Sequence, residues 1–266
     1  MARTPVSFIS HGSPMYALEP GPAGAALRAW AAAIDDRHET PAAVVMMSPH
    51  WQTQGLEIMG SPSPDTLHDF GGFPPALYTL SYQAPGSPAT AAHVQGLLRQ
   101  QGVTARINET RPFDHGAWVP MMHLWPEANV PMVQLSLPYD ATPKALMAIG
   151  FALQTLRTRG VMVIGSGSMT HNLRHVFDPA SAPEDLGYVR GFADWVLDKI
   201  EASDADSLID FERLAPHAAL AHPTTEHFLP LFFALGAVTA GERATVLTRE
   251  VYLDVLAMDA IAWAGG

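Results

Sequence analysis

The sequence contains no cysteine. Disulfide bonds, thiolate metal sites, iron–sulfur clusters and cysteine nucleophiles are therefore excluded. Any transition-metal site in this chain must use histidine, carboxylate or water as ligands. Long apolar runs are also missing, because no uninterrupted stretch reaches the ~20 residues that a membrane-spanning helix needs.

Positive charge is scarce as well. The chain has 15 basic and 26 acidic residues, a net charge of −11, and its lysines are Lys144 and Lys199. Since no basic patch is visible, we expect neither nucleic acid nor a membrane surface as a partner. The first residues lack the basic segment and apolar run of a signal peptide, so we expect a cytoplasmic protein. The sequence leaves the oligomeric state open.

Apolar residues make up 48% of the 266 positions, which is ample for a sizeable core. Strand-like and helix-like segments alternate along the chain, with no repeat, low-complexity tract or linker between them. This alternation predicts an α/β fold in which a mostly parallel or mixed central sheet is flanked by helices. We expect one catalytic domain over residues 1–266. The stretch 253–263 fits either a strand or a final helix.

Three of the predicted strands lead into a histidine. Open α/β sheets place their ligand sites beyond the carboxyl ends of the strands. We therefore expect one site, built at one edge of the sheet from distant parts of the chain. The three histidines are His11 after residues 6–9, His50 after residues 43–47 and His171 after residues 161–164.

His11 and His50 are the first pair of candidate metal ligands, because a neutral imidazole binds Fe(II) and Zn(II) well. His227 is the third candidate, in a segment predicted to start a helix capped by Thr224 or Thr225. There the helix dipole would keep the ring neutral, as metal binding requires. A single histidine at a strand end is more often a hydrogen-bonded core residue, whereas three on one edge favour a metal site. Five other histidines are expected at the surface: His38, His93, His123, His175 and His217.

His171 and His115 are second candidates, suited to general acid–base catalysis because histidine titrates near working pH. His115 follows Asp114, which either orients its ring or caps a turn. The Gly-Ser-Gly segment before His171 also resembles a phosphate-binding loop, but no Walker lysine follows it. Ser166 or Ser168 as a hydrolase nucleophile is a weak alternative, since the segment is not a nucleophile elbow.

Six motifs in a fixed order give the chain a family resemblance. It resembles the DODA-type extradiol aromatic ring-opening dioxygenases, the 4,5-DOPA dioxygenase branch of the LigB-like superfamily. The resemblance runs from His11 to about Gly236, most of the chain. The motifs are HGSP at 11–14, SPHW at 48–51, HDFGGFP at 68–74, DHG at 114–116, HNLR at 171–174 and EHFLPL at 226–231.

The resemblance implies a LigB-like fold and a non-haem Fe(II) enzyme that inserts both atoms of O2 into a catechol and opens the ring beside the diol. Related proteins are often isolated with zinc instead. The implied metal ligands are His11, His50 and His227, although distant members use a glutamate as the third ligand. His171 is implied either as a fourth ligand in a zinc form or as the base that takes a catechol proton. His115 is the second implied acid–base group.

A small aromatic substrate, DOPA-like, and O2 are the expected partners. His68, Trp51 and Phe73, with Phe70, are candidates for a wall around the substrate ring, with ordinary core packing as the alternative. Arg174 and Arg111 either hold a substrate carboxylate or form surface ion pairs. Two other functions remain open: a zinc-dependent hydrolase that activates water with the same ligands, and a non-catalytic metal-binding relative on the same fold.

Overall fold

The computed structural model describes residues 3–38 and 40–265. Within these ranges the central element is an eight-stranded sheet, and a separate two-stranded ladder lies near the C-terminus. The strands are β1 (Val6–Ser10), β2 (Ala43–Thr53), β3 (Leu56–Met59), β4 (Ala105–Asn108), β5 (Met132–Pro138), β6 (Val161–Gly167), β7 (Arg243–Thr248), β8 (Val251–Tyr252), β9 (Leu256–Ala257) and β10 (Ala260–Ala264).

Helices cover both faces of the sheet. The helices are α1 (Gly21–His38), α2 (Pro88–Gln100), α3 (His115–Leu124), α4 (Pro143–Ala152), α5 (Leu173–Phe177), α6 (Gly187–Glu201), α7 (Ala205–Ile209), α8 (Phe211–Leu214), α9 (Ala218–Ala221) and α10 (Pro230–Ala237). Short 3-10 helices span Pro14–Ala17, Pro75–Thr79, Gln154–Arg159 and Pro179–Ser181. No helix in the described ranges combines the length and hydropathy needed to cross a membrane.

The strands of the large sheet follow the order β4-β3-β5-β2-β6-β1-β10-β7. The four central strands, β5, β2, β6 and β1, are parallel, whereas β3 runs antiparallel to β5 and β10 antiparallel to β1. The predicted α/β fold with a mixed sheet is confirmed. Because β2, β6 and β1 are adjacent and parallel, their carboxyl ends lie together at one edge, where the three strand-end histidines were expected.

The central strands are buried on both faces, which is why they appear in the sequence as continuous apolar runs. In β2, Val44 and Met46 face the layer that contains α1 and α3. Val45 and Met47 face the opposite layer, with α2, α4, α6 and α10. Two hydrophobic cores therefore lie on either side of the sheet.

The C-terminal stretch forms a strand rather than a final helix. Residues 260–264 are β10, which pairs with β1 on one side and with β7 on the other. The main chain of Ser10 donates to the Asp259 carbonyl, so this segment also continues the ladder at the end of β1. The strand alternative of the sequence interpretation is the correct one.

Two histidines expected at the surface are buried instead. His123 is 3% exposed and its Nε2–H donates to the Tyr16 carbonyl at 3.1 Å; His175 is 7% exposed and its Nδ1 pairs with the Tyr188 hydroxyl at 2.9 Å. Each ring replaces water with a protein partner, so burial is tolerated. His93 is half-buried and His217 is exposed. The side chain of His38 lies outside the described residues.

Candidate metal centre

Three imidazole rings meet at the carboxyl-end edge of the sheet. The Nε2 atom of His50 lies 3.1 Å from Nε2 of His11 and 3.3 Å from Nε2 of His227. His11 and His227 are buried, and the side chain of His50 is 21% exposed. The geometry brings together the three residues predicted as metal ligands.

His11 is held at the end of β1 by its main chain and by its outer ring nitrogen. Its backbone N–H donates to the Gly167 carbonyl at 2.9 Å. The Ser166 hydroxyl donates to the Gly116 carbonyl, so the Ser166 oxygen accepts the bond from Nδ1–H of His11 at 3.0 Å. The free electron pair of the ring is therefore on Nε2, which faces the other two histidines. Ser166 is a fully buried structural partner, which argues against its role as a nucleophile.

His50 lies where β2 leaves its regular pairing with β5. The ladder is regular up to Met47 and resumes at Gln52, with an irregular segment between them. Pro49 has no N–H to contribute to the ladder, which suits a break in pairing here. Helix α3 packs closely on this segment, since a Cβ on Gly116 would lie 2.9 Å from the His50 ring.

His227 precedes α10 and rests directly on β6. A Cβ on Gly167 would lie 2.1 Å from the His227 carbonyl, so glycine permits this approach, and the Ser168 N–H donates to the same carbonyl at 2.8 Å. This packing explains the Gly-Ser-Gly segment that resembled a phosphate-binding loop. The outer nitrogen of the ring, Nδ1, lies 2.8 Å from the Glu226 carboxylate.

The helix expected to start after Thr224 or Thr225 begins later, and that part of the sequence interpretation is wrong. Residues 225–229 form a turn in which the Phe228 N–H donates to the Thr225 carbonyl at 2.9 Å. Helix α10 starts at Pro230, because proline is favoured in the first turn, where its missing N–H has no helical partner.

All three rings are held in the neutral form. Burial, followed by the neighbouring histidines, lowers the pKa of His11 and of His227 well below the usual value. Burial and the nearby His115 lower the pKa of His50 to about 3, against the opposing effect of Asp69. Neutral imidazole is the form that binds a metal.

The donor set fits a divalent transition-metal ion. Ligand nitrogens at about 2.1 Å from one ion, with 90–109° between them, lie roughly 3.0–3.4 Å apart. The two Nε2 separations in the structure fall in this interval, and the outer nitrogens of His11 and His227 are already partnered. Three neutral imidazoles suit Fe(II) or Zn(II), and with no further ligand they leave coordination positions free.

His115, the first residue of α3, lies beside this centre. Its ring centroid is 4.0 Å from that of His50 and 5.5 Å from that of His11. The carboxylate that orients it is Asp69, whose Oδ1 is 2.9 Å from the His115 backbone nitrogen and 3.0 Å from Nδ1. Burial raises the pKa of Asp69, but hydrogen bonds from His115 outweigh it and lower the pKa to about 2.

Asp114 was predicted either to orient the His115 ring or to cap a turn. Its carboxylate does not contact that ring. Its fully buried carboxylate accepts hydrogen bonds from the Ser48 hydroxyl at 2.8 Å and from Gln134. Arg111 donates to the same carboxylate at 3.3 Å and to the His50 carbonyl at 3.1 Å. Asp114 and Arg111 therefore brace the segment that carries His50, through one guanidinium nitrogen of Arg111.

His171 joins the site from the side of His227. The two rings are stacked, with centroids 3.4 Å apart and planes inclined by 10°. Burial lowers the pKa of His171 to about 4, with Glu226 opposing the effect. Its ring nitrogen groups with Glu226 and His227, whereas the converging set is His11, His50 and His227.

Aromatic side chains from the loop after β3 form a wall next to His115. The Phe70 ring is 5.6 Å from His115, 5.6 Å from His68 and 5.5 Å from Phe73. The Nε2–H of His68 donates to the Leu80 carbonyl at 3.0 Å, which fixes its ring. The predicted residues His68 and Phe73 therefore lie together near the centre.

The remaining predicted substrate residues are Trp51 and Arg174. Trp51 is 5% exposed and packs in the core, with the Arg111 guanidinium 5.2 Å from the centre of its ring. Arg174 is exposed on α5, three residues after His171. Trp51 therefore corresponds to the core-packing alternative, and Arg174 remains accessible to a ligand.

Comparisons with known proteins agree with this geometry. Residues 5–257 match the family described as the catalytic LigB subunit of aromatic ring-opening dioxygenase. The chain is 36% identical to a 4,5-DOPA dioxygenase extradiol of Beta vulgaris, covering 90% of this chain and 89% of the relative. It is also 36% identical to the protein of that name from Escherichia coli (strain K12), with 96% and 93% covered.

A solved structure shares the fold. The crystal structure of an uncharacterised protein from Escherichia coli K12 superposes with a TM-score of 0.77 at 28% identity, covering 98% of this chain and 99% of the other. The site and fold define a ring-cleaving dioxygenase of the extradiol class. The chain belongs to the LigB family of aromatic ring-opening dioxygenases, as its motifs suggested.

Proposed function

We propose that this protein opens the ring of a catechol-type, DOPA-like substrate with O2, and that it uses Fe(II) to do so. The observation that carries the proposal is the convergence of three neutral Nε2 atoms, 3.1 and 3.3 Å apart, beside a fourth histidine and an aromatic wall. Its expected partners are the small aromatic substrate and O2, and its expected compartment is the cytoplasm.

His11, His50 and His227 would hold the metal, and Zn(II) is a second ion that the same imidazoles suit. When bound, the ion supplies free coordination positions and lowers the cost of deprotonating a catechol. Ser166 and Glu226 hold the outer nitrogens of His11 and His227, so these rings do not have to reorient before binding.

Proton transfer falls to His115 and His171. With Nδ1 paired to Asp69, His115 presents Nε2 to the site, where it can accept a proton from a catechol hydroxyl and return it later. His171 is the second acid–base group, since it does not belong to the converging set of His11, His50 and His227. If His171 is instead a fourth ligand in a zinc form, His171→Ala should bind Zn(II) more weakly than wild type.

The substrate ring would lie against Phe70, Phe73 and His68, whose rings form a wall on the His115 side. Arg174, exposed near His171, is the group we assign to the carboxylate of an amino-acid-like catechol. Holding both reactants in one orientation contributes up to ~7–11 kcal/mol in favourable cases.

The test is anaerobic loading with Fe(II), addition of a panel of catechols with and without a carboxylate, and then admission of air. The proposal predicts O2 uptake together with a yellow ring-opened product, and faster turnover of carboxylate-bearing catechols. Inertness towards every catechol with ester or amide turnover under Zn(II) would favour the hydrolase alternative. Metal binding without any turnover would favour a non-catalytic role.

A further inference from the structure

Asp69 contacts two histidines of the site at once. Its Oδ1 accepts from His115, and its Oδ2 lies 3.5 Å from Nδ1 of His50. We propose that Asp69 is a positioning residue that fixes where the proton lies on both rings, Nδ1–H in each, so that each presents the electron pair of Nε2 to the site. This inference rests on the function proposed above, and it deepens the assignment of those two residues.

The contact with His115 determines the position of its proton. The backbone N–H of His115 is always a donor, so Oδ1 of Asp69 is an acceptor at 2.9 Å. Nδ1 of the same residue lies 3.0 Å from that oxygen. If Nδ1 carried no hydrogen, two electron pairs would face each other at this distance, which is repulsive. The proton is therefore on Nδ1, and Nε2 is the proton acceptor.

The contact with His50 acts in the same direction. At 3.5 Å, the Oδ2 to Nδ1 distance is long for a hydrogen bond, but the carboxylate charge favours a hydrogen on the near nitrogen. Nε2 of His50 is then free to face His11 and His227 at 3.1 and 3.3 Å. Carboxylate partners of this kind typically change metal affinity or activity 10–100-fold when they are removed.

Asparagine at this position separates the two contacts. In Asp69→Asn the amide oxygen takes the Oδ1 position, because the backbone N–H of His115 needs an acceptor there. The amide NH2 then replaces Oδ2 and donates towards Nδ1 of His50, which would move the His50 proton to Nε2. Nε2 of His50 then has no free electron pair with which to bind a metal, while His115 keeps its proton on Nδ1. In Asp69→Ala both constraints disappear.

The experiment measures proton positions directly, by 15N NMR of histidine-labelled protein without metal, at a pH well above the ordinary histidine pKa of about 6.5. Wild type should carry Nδ1–H on His115. Asp69→Asn should keep that proton on Nδ1, and Asp69→Ala should release it. The control is Asp65→Asn, four residues earlier in the same loop with an exposed side chain, which should leave the His115 proton on Nδ1.

Zn(II) titration and kinetics give the second readout. Asp69→Asn should bind Zn(II) about 10–100-fold more weakly, and Asp69→Ala with saturating Fe(II) should lose about 10–100-fold in kcat with little change in KM. Nε2–H on His115 in wild type, an unchanged His115 proton in Asp69→Ala, or wild-type Zn(II) affinity in Asp69→Asn would overturn the proposal. Because the NMR experiment needs neither metal nor substrate, a wild-type protein that opens no catechol would refute the proposed function without touching the result for Asp69.

Discussion

The two ends of the central strands bury polar groups in opposite ways. At the amino-terminal end, Arg157 is fully buried, and its guanidinium donates to the Thr4 and Ala237 carbonyls at 2.8 Å each and to the Glu242 carboxylate. At the carboxyl end, His11, His50 and His227 turn their Nε2 atoms towards one another. The first network pairs each guanidinium nitrogen with an acceptor, whereas the second sets acceptors face to face.

This difference separates stability from function. A buried ion pair in which each guanidinium nitrogen has an acceptor ties β1, β6, β7 and α10 together and needs nothing from outside the chain. Three imidazole electron pairs in contact repel unless a cation lies between them. We therefore expect mutations at the amino-terminal end to change unfolding, and mutations at the carboxyl end to change metal binding and turnover.

The largest effect is expected from His11→Ala. Removing one of three ligands should abolish stoichiometric metal binding and reduce ring opening to background, and His50→Ala should do the same. The measurement is metal content after Fe(II) loading and removal of excess, together with O2 uptake. His93→Ala, a half-buried histidine on α2, is the matched control and should bind metal normally. Wild-type metal content in His11→Ala would show that the ligand assignment is wrong.

His115→Ala should keep the metal and lose turnover. Loss of a general acid–base group costs about 10²–10⁴-fold in rate. His115 does not belong to the converging set of His11, His50 and His227, so metal content should equal wild type. Stopped-flow kinetics with a saturating catechol, alongside metal analysis, checks both statements. Loss of metal in this variant would instead make His115 part of the binding site.

At the other end of the sheet, Arg157→Ala should lower the free energy of unfolding by about 3–5 kcal/mol, because it leaves Glu242 buried without its partner. Urea titration of the metal-free protein measures this. Arg213→Ala, which removes an exposed ion pair with Asp210, is the control and should cost less than about 1 kcal/mol. Folded Arg157→Ala should still bind metal. A loss of metal binding at low denaturant would show that the two ends of the sheet do not act independently.

The smallest effect concerns acid stability. Burial lowers the pKa of His123 to about 4, so between about pH 4 and 6.5 the unfolded chain binds a proton that the folded chain does not. Stability must therefore rise with pH in this window, by up to about 1.4 kcal/mol per pH unit for this group. In His123→Gln, whose amide can still donate to the Tyr16 carbonyl, the slope should be smaller by up to that amount. Urea titrations of both metal-free proteins at several pH values provide the slopes. Equal slopes would show that His123 does not contribute to the pH dependence of stability.

The part of the site closest to the strands was predictable from the sequence. His11 and His50 follow apolar runs of strand length, and the rule that ligands bind beyond carboxyl ends brings them to one edge. His227 was proposed as the third ligand at a predicted helix start, although that helix begins four or five residues later than predicted. The strand at residues 260–264 was ambiguous because its apolar, alanine-rich composition suits a helix equally well.

Long-range contacts could not be predicted in the same way. Asp69 was visible in a loop rich in glycine and proline, but nothing local indicates that it lies between His50 and His115, from distant parts of the chain. Gly167 looked like part of a phosphate loop, whereas its use is close contact with the main chain of His227. The burial of His123 depends on a carbonyl more than a hundred residues away.

The most direct test of the central claim is a crystal structure of the protein loaded with Zn(II). We expect one ion per chain, bound by Nε2 of His11, His50 and His227 at about 2.0–2.1 Å from each, with Arg157 and Glu242 unchanged at the far end of the sheet. An ion bound elsewhere, or none at the three rings with their Nε2 atoms moved apart, would contradict the account.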